Sequence, residues 1–139
     1  PGPLFLVRNE RLVSKFLQLL TTEDARKAIG VNLDIAHWGL IMKIQPDQIP
    51  QEILDRLVHV HLSDHSDAHL GDLPLGRKND IDVFKPWVRL CAKLPHFDGI
   101  WSLELEAAFQ AAEVEDSADK VDQLILQSAL DDDGQLHSD

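Results

Sequence analysis

The sequence predicts an α/β fold in which helices alternate with the strands of a parallel β-sheet. Apolar residues recur at helical spacing in four segments and alternate with polar residues in three others, and the two kinds of segment follow one another. The connections are long enough for right-handed crossovers between parallel strands. With 139 residues, 44% apolar and 27% charged, the chain has the length and composition of one globular domain.

The first half of the chain predicts a helix, a strand and a second, shorter helix. Apolar side chains recur at helical spacing over residues 9–20, so this segment is predicted to be an amphipathic helix. Apolar and polar residues alternate over 30–38, which predicts a strand with polar groups at its far end. A first helical turn tolerates Pro50, so a short helix over about 50–56 is expected next.

The second half predicts two more strands and two more helices. Strict alternation over 57–63 predicts a strand, which a long polar loop follows. Asp82 can cap the next helix, and the segment 99–109 alternates again as a third strand. Either Asp116 or Ser117 can cap the last helix, which leads into a polar C-terminal tail that we expect to be disordered.

Composition excludes several classes of partner. Thirteen basic and twenty-four acidic side chains give a net charge of −11, which would repel nucleic acid. No apolar run approaches the roughly 20 residues that span a bilayer, so no membrane partner is expected.

The single cysteine, Cys91, lies in an apolar helical pattern and is predicted to be a buried small hydrophobe. These features favour a cytoplasmic protein.

Three polar side chains are predicted to meet at one edge of the sheet. Asp34, His61 and Glu104 lie at or near the ends of three successive predicted strands. The carboxyl ends of parallel strands lie together, and ligands bind there. Imidazole nitrogen and carboxylate oxygen hold divalent ions, so the three residues are candidate metal ligands. The alternative is that they only make the strand ends soluble.

Further polar side chains lie close to this candidate site in the sequence. His37 could face the same cavity as a proton donor, or pack on the neighbouring tryptophan. His59, one strand repeat before the candidate ligand, and Asp64 are expected to support the ligands from behind, with Asp64 orienting an imidazole. Glu106 shares a face with Glu104 and competes for its role. A solvated loop surface is predicted for His65, Asp67, His69 and Asp72.

Four stretches together resemble the last three strand segments of the xylose isomerase-like superfamily, the sugar phosphate isomerase and epimerase barrels. The stretches, within residues 25–110, are "VNLDIAHW", "LVHVHLSDH", "DLPLGRKNDIDVFKPW" and "WSLELEAAF". The resemblance implies a partial (β/α)8 (TIM) barrel, with three to four parallel β/α units over residues 1–130 and a tail over 131–139. This chain would then be the C-terminal half of a barrel, since three or four strands cannot close one.

The same resemblance implies a metal-dependent proton transfer. Asp34, His61 and Glu104 would bind one divalent ion, which is manganese, magnesium, cobalt or zinc in this superfamily, and His37 would contact the substrate. A sugar or sugar phosphate would react through an enediolate, with Glu104 moving a proton. The chain departs from the family twice: Lys78 stands where a second glycine is usual, and "PLFLV" lacks the Glu that is the family's fourth ligand.

Two other hypotheses remain open. A catalytically inactive half-barrel could serve as a binding or structural module, forming a homo-oligomer through its exposed sheet edge. The related apurinic endonuclease branch needs a basic DNA groove and more metal ligands, and the net charge of −11 counts against it.

Overall fold

The structure is a computed structural model that describes residues 10–105 and 109–133 of the chain. Its five strands are β1 (Val31–Asp34), β2 (Leu57–Leu62), β3 (Asp64–Ser66), β4 (His69–Leu73) and β5 (Ile100–Leu103). Its five α-helices are α1 (Glu10–Gln18), α2 (Glu23–Ala28), α3 (Gln51–Leu54), α4 (Lys85–Ala92) and α5 (Ala111–Asp133). A fourth parallel strand in "LFLV", which the sequence left open, falls outside the described residues.

A three-stranded parallel sheet confirms the predicted α/β class. The strand order is β1-β2-β5, and both pairings are parallel. In the register, Asp34 lies opposite His61, and His61 lies opposite Ser102. Parallel pairing therefore brings the carboxyl ends of all three strands to one edge, as the sequence predicts.

Two of the predicted strands are shorter than expected. β1 ends at Asp34 instead of residue 38, because the chain turns there into a π-helix over Ala36–Ile41. The Asp34 carboxylate accepts the backbone N–H of His37 at 2.9 Å, which favours this turn over a continued strand. β5 ends at Leu103, although the Glu104 N–H still donates to the Leu62 carbonyl oxygen at 3.1 Å.

The polar segment after β2 is not the plain loop that its composition predicts. β3 and β4 form an antiparallel hairpin in which Asp64 lies opposite Leu73 and Ser66 lies opposite His69. Such short polar strands carry little hydrophobic periodicity, so their pairing depends on contacts with distant segments that the sequence does not reveal.

The helix starts also differ from the predicted ones. Asp80 caps a 3-10 turn over Ile81–Val83, and α4 begins only at Lys85, so Asp82 is not the cap. The sequence did not predict the helix α2. Thr22 caps its first turn by accepting the backbone N–H of Ala25.

The last helix starts earlier than predicted, so Ser117 and Asp116 are not its caps. At its start the Gln110 N–H donates to the Glu113 side chain at 3.1 Å, which satisfies one end group of the helix. Ser117 lies buried in the second turn of α5. The helix continues to Asp133, three residues beyond the predicted domain boundary at residue 130.

One hydrophobic core joins the sheet to the helices. Leu33, Val60 and Leu62 are fully buried on the sheet, and Phe84 and Val88 are fully buried on or beside α4. Cys91 is buried in the same core, and desolvation raises its pKa to about 12. The thiol is therefore un-ionised at neutral pH, which agrees with the predicted small hydrophobe.

α5 holds the segment that follows the hairpin. The Ser117 hydroxyl accepts the Leu75 N–H at 3.1 Å, and the Lys120 ammonium donates to the Leu75 carbonyl oxygen at 2.8 Å. Gly76 follows with φ of +77°, a conformation that favours glycine. The C-terminal helix thus fixes the backbone of "PLG" from outside the sheet.

Within the described part of the chain, no helix combines the length and apolar character that crossing a membrane requires.

Candidate functional site

Asp34, His61 and Glu104 converge at the carboxyl edge of the sheet. One ligand atom from each residue can be chosen so that the three atoms lie within 4.8 Å of one another. His61 Nδ1 lies 2.6 Å from Glu104 Oε2, a hydrogen-bonding distance. The structure therefore brings together the three residues that the sequence singled out as metal ligands. One imidazole nitrogen and two carboxylate oxygens suit a divalent ion.

The register of the parallel sheet explains this convergence. Asp34 and His61 are direct neighbours across β1 and β2, and His61 pairs with Ser102 across β2 and β5. Glu104 comes two residues after Ser102, and its N–H is held by the Leu62 carbonyl oxygen. Because side chains of an extended chain alternate between faces, Ser102 and Glu104 share the face of His61.

His37 lies directly beside Asp34. Its backbone N–H donates to Asp34 Oδ1, and its ring Nδ1 lies 2.8 Å from Asp34 Oδ2. The π-helix that begins at Ala36 brings the chain back over the end of β1, which accounts for both contacts. The side chain of His37 is 55% exposed, so its ring is available to a ligand from solvent.

Burial makes Asp34 an unusual carboxylate. Only 9% of the residue is exposed, and desolvation raises its pKa above the ordinary 3.8. The His37 backbone N–H and the His37 ring both lower this pKa, whereas the nearby charges of Asp72 and Glu104 raise it further. Asp34 therefore carries its negative charge at an energetic cost that a bound cation would relieve.

His59 supports His61 from below. The two rings meet edge to face with centroids 4.5 Å apart, and His59 Nε2 lies 2.7 Å from the Ser102 hydroxyl. His59 is half-buried one strand repeat before His61, a position from which it can support the ligands from behind as the sequence predicts. The contact with His61 is made by the ring, not by a hydrogen bond.

Asp64 does not orient an imidazole ring in the way that the sequence suggested. Its carboxylate accepts four hydrogen bonds, from the backbone of His65, Lys78 and Asn79 and from the Asn79 amide. The physical reason is alternation, because Asp64 lies an odd number of residues from His61 and points to the other face. Asp64 instead stabilises the loop that ends at Asn79 through these hydrogen bonds.

Asp72 is not the solvated loop residue that the sequence predicts. It is 5% exposed, not solvated, and the Ser63 hydroxyl donates to it at 2.6 Å. Its charge also acts on Asp34. The other predicted surface residues differ among themselves: Asp67 is exposed and His65 is half-buried. The side chain of His69 and the whole of Glu106 lie outside the described residues.

The structure also contains a cavity of about 400 Å³, whose lining residues do not include Asp34, His61 or Glu104. Its walls come from the segments that follow β1 and β2, and they include Lys43, His65, Lys78 and Asn79. Lys43 has a φ of +57°, which is uncommon for a residue with a side chain. Among the described residues, neither lysine takes part in an ion pair. The cavity therefore offers two lysine side chains, and the exposed Asp67 carboxylate lines it as well.

Comparison of this sequence with models of protein families finds no match, and comparisons with curated proteins and with solved structures find no similar protein.

Proposed function

We propose that this chain is a divalent-metal-dependent isomerase or epimerase that acts on a small sugar or sugar phosphate. The observation that carries the proposal is the convergence of Asp34, His61 and Glu104 at the carboxyl ends of three parallel strands. In α/β folds that edge is where ligands bind, and the resemblance described above assigns the same three residues to a metal.

The three side chains fit a divalent cation by charge as well as by donor type. Asp34 is buried with a raised pKa, and Glu104 is held against an imidazole instead of a lysine or arginine. When bound, the ion supplies positive charge that polarises a carbonyl oxygen and an adjacent hydroxyl. The candidate ions are manganese, magnesium, cobalt and zinc.

The remaining chemistry belongs to side chains of this chain. Glu104 is a half-buried carboxylate and takes the role of moving a proton next to the carbonyl. His37 has an exposed ring that Asp34 orients through two contacts, so it takes the role of hydrogen bonding to a substrate hydroxyl. The lysines of the cavity, Lys43 and Lys78, suit an anionic group such as a phosphate.

The proposed architecture is the C-terminal half of a (β/α)8 barrel. Three parallel strands with polar groups gathered at their carboxyl edge support it. The segment "PLFLV", which would hold the family's fourth ligand, contains no acid and lies outside the described residues. A cytoplasmic location remains a prediction from the sequence.

Proton exchange with solvent tests the proposed reaction directly. Aldoses, ketoses and their phosphates are incubated with the protein and Mn²⁺ in D₂O, and deuterium uptake next to the carbonyl is measured by mass spectrometry. We expect uptake with the wild type and none with Glu104→Gln, because the amide cannot accept the proton. Glu115→Gln, an exposed position on α5, is the control and should keep full uptake. Full uptake by Glu104→Gln would contradict the assigned role.

A second candidate function rests on the edges of the sheet. Within the described residues, β1 and β5 each pair with β2 on one side only, and Ile100 on β5 is 65% exposed. Unpaired strand edges favour association, so the alternative is an inactive half-barrel that forms a homo-oligomer and acts as a binding or structural module. Light scattering together with metal analysis distinguishes the two: metal-free oligomers without proton exchange would favour the alternative.

A further inference from the structure

Asp72 is a buried carboxylate for which the proposed ligand set provides no role. It lies on β4 with 5% of its surface exposed, and its described hydrogen bond comes from the neutral Ser63 hydroxyl. Within residues 10–105 and 109–133, no ion pair is described for it. A buried carboxylate without a cationic partner is costly, so its presence requires an explanation.

The position of Asp72 follows from its bond to Ser63. Ser63 comes two residues after His61, so alternation along the extended chain directs both side chains to the same face. The 2.6 Å bond from Ser63 therefore holds the Asp72 carboxylate on the face of the sheet that carries His61, one strand repeat further along the chain. The repulsion that Asp72 exerts on Asp34 agrees with this location.

The two carboxylates of the candidate site, Asp34 and Glu104, have little compensating charge, and Asp72 adds a third negative charge on the same face. The described ion-pair partners of Asp34 and Glu104 are the imidazoles of His37 and His61, which carry charge only when protonated. Asp72 lies outside the group of atoms within 4.8 Å of one another, so it is not a fourth direct ligand there. A carboxylate just beyond the ligands still attracts a cation and can accept hydrogen bonds from its water.

We propose that Asp72 is a positioning residue of the cation site, which raises the affinity for a divalent ion by its charge and by a hydrogen bond to the ion's water. This inference rests on the proposed function, because it assumes that Asp34, His61 and Glu104 hold the ion. The hairpin of β3 and β4 then contributes one residue, Asp72, to the cation site. A purely structural role, in which Asp72 only fastens β4 to Ser63, is the competing explanation.

Manganese affinity separates these explanations. Mn²⁺ binding is measured by calorimetry and by electron paramagnetic resonance for the wild type, Asp72→Asn and Asp67→Asn. Asn keeps an oxygen that can accept the Ser63 bond but removes the charge. We expect Asp72→Asn to bind Mn²⁺ on the order of tenfold more weakly. Asp67→Asn, an exposed carboxylate of the same hairpin, should change the affinity less than about twofold.

The outcomes distinguish this inference from the proposed function. Unchanged affinity in Asp72→Asn, with tight binding by the wild type, overturns the role of Asp72 and leaves the metal site standing. No binding by the wild type overturns both. If Asp72→Asn does not fold, Ser63→Ala decides, because it releases the carboxylate without removing it. We then expect binding to weaken roughly threefold, and unchanged affinity overturns the inference.

Discussion

Asp34 ends the parallel strand β1, Asp64 comes two residues after the end of the neighbouring parallel strand β2, and the surroundings of the two carboxylates differ sharply. Asp64 is fully buried and accepts four hydrogen bonds from the loop that ends at Asn79. Asp34 is also buried, but its described partners are the backbone and ring of His37. A carboxylate surrounded by N–H donors holds a fold together, whereas one with few donors is open to a ligand.

The largest expected effect is on the Asp64 side of this comparison. Asp64→Ala removes the acceptor of four hydrogen bonds and leaves the N–H groups of Lys78 and Asn79 without a partner. We expect the free energy of unfolding to fall by about 3 kcal/mol or more, measured by urea denaturation. Asp67→Ala, at an exposed site, is the control. A loss below about 1 kcal/mol would contradict the structural role of Asp64.

A comparable change on the Asp34 side should affect binding instead of folding. Asp34→Ala removes one of three candidate ligands, so we expect the Mn²⁺ dissociation constant to rise about 100-fold. Calorimetry measures the affinity, and urea denaturation without metal shows whether the variant is folded. Asp47→Ala, an exposed acid on the 3-10 turn before α3, should leave the affinity unchanged. Equal binding by Asp34→Ala would remove Asp34 from the ligand set.

The smallest effect concerns the pH dependence of stability without metal. Burial raises the pKa of Asp34 above 3.8, so the folded state holds this proton more strongly than the unfolded state does. The resulting stabilisation is present at low pH and is lost as the pH rises from 3.8 through the raised pKa. At neutral pH the charged Asp34 therefore lowers stability.

Asp34→Asn removes that charge while keeping an oxygen for the His37 N–H. We expect the metal-free variant to melt about 3 °C higher than the wild type at neutral pH, with the difference shrinking towards acidic pH. Calorimetric melting over a pH series measures this. A difference that grows as the pH falls would show that the pKa of Asp34 is lowered instead of raised.

The parallel sheet and the meeting of its strand ends were predictable from the sequence. Alternation over β2 directs His59 and His61 to one face, and the parallel order then brings Asp34 and Glu104 to the same edge. These inferences need only the local pattern and a general rule about parallel strands. The placement of the three candidate ligands could therefore be predicted without coordinates.

Other features depend on contacts between distant segments. The strand β1 ends early because the Asp34 carboxylate bonds with His37, a local competition that hydrophobic periodicity does not report. Asp72 looks like a loop residue until β4 pairs with β3 and Ser63 donates to it. The role of Ser117 could not be predicted from the sequence either, because its hydroxyl accepts the N–H of Leu75, which is 42 residues away.

The contacts of Ser117 and Lys120 with Leu75 bear on how this protein can evolve. The backbone between Leu75 and Asn79 is held at one end by α5 and at the other by Asp64. The Lys78 side chain lines the cavity and is exposed, while its backbone N–H is committed to Asp64. Mutations at position 78 can therefore change the side chain that lines the cavity without reshaping the loop, so this position can vary at little structural risk.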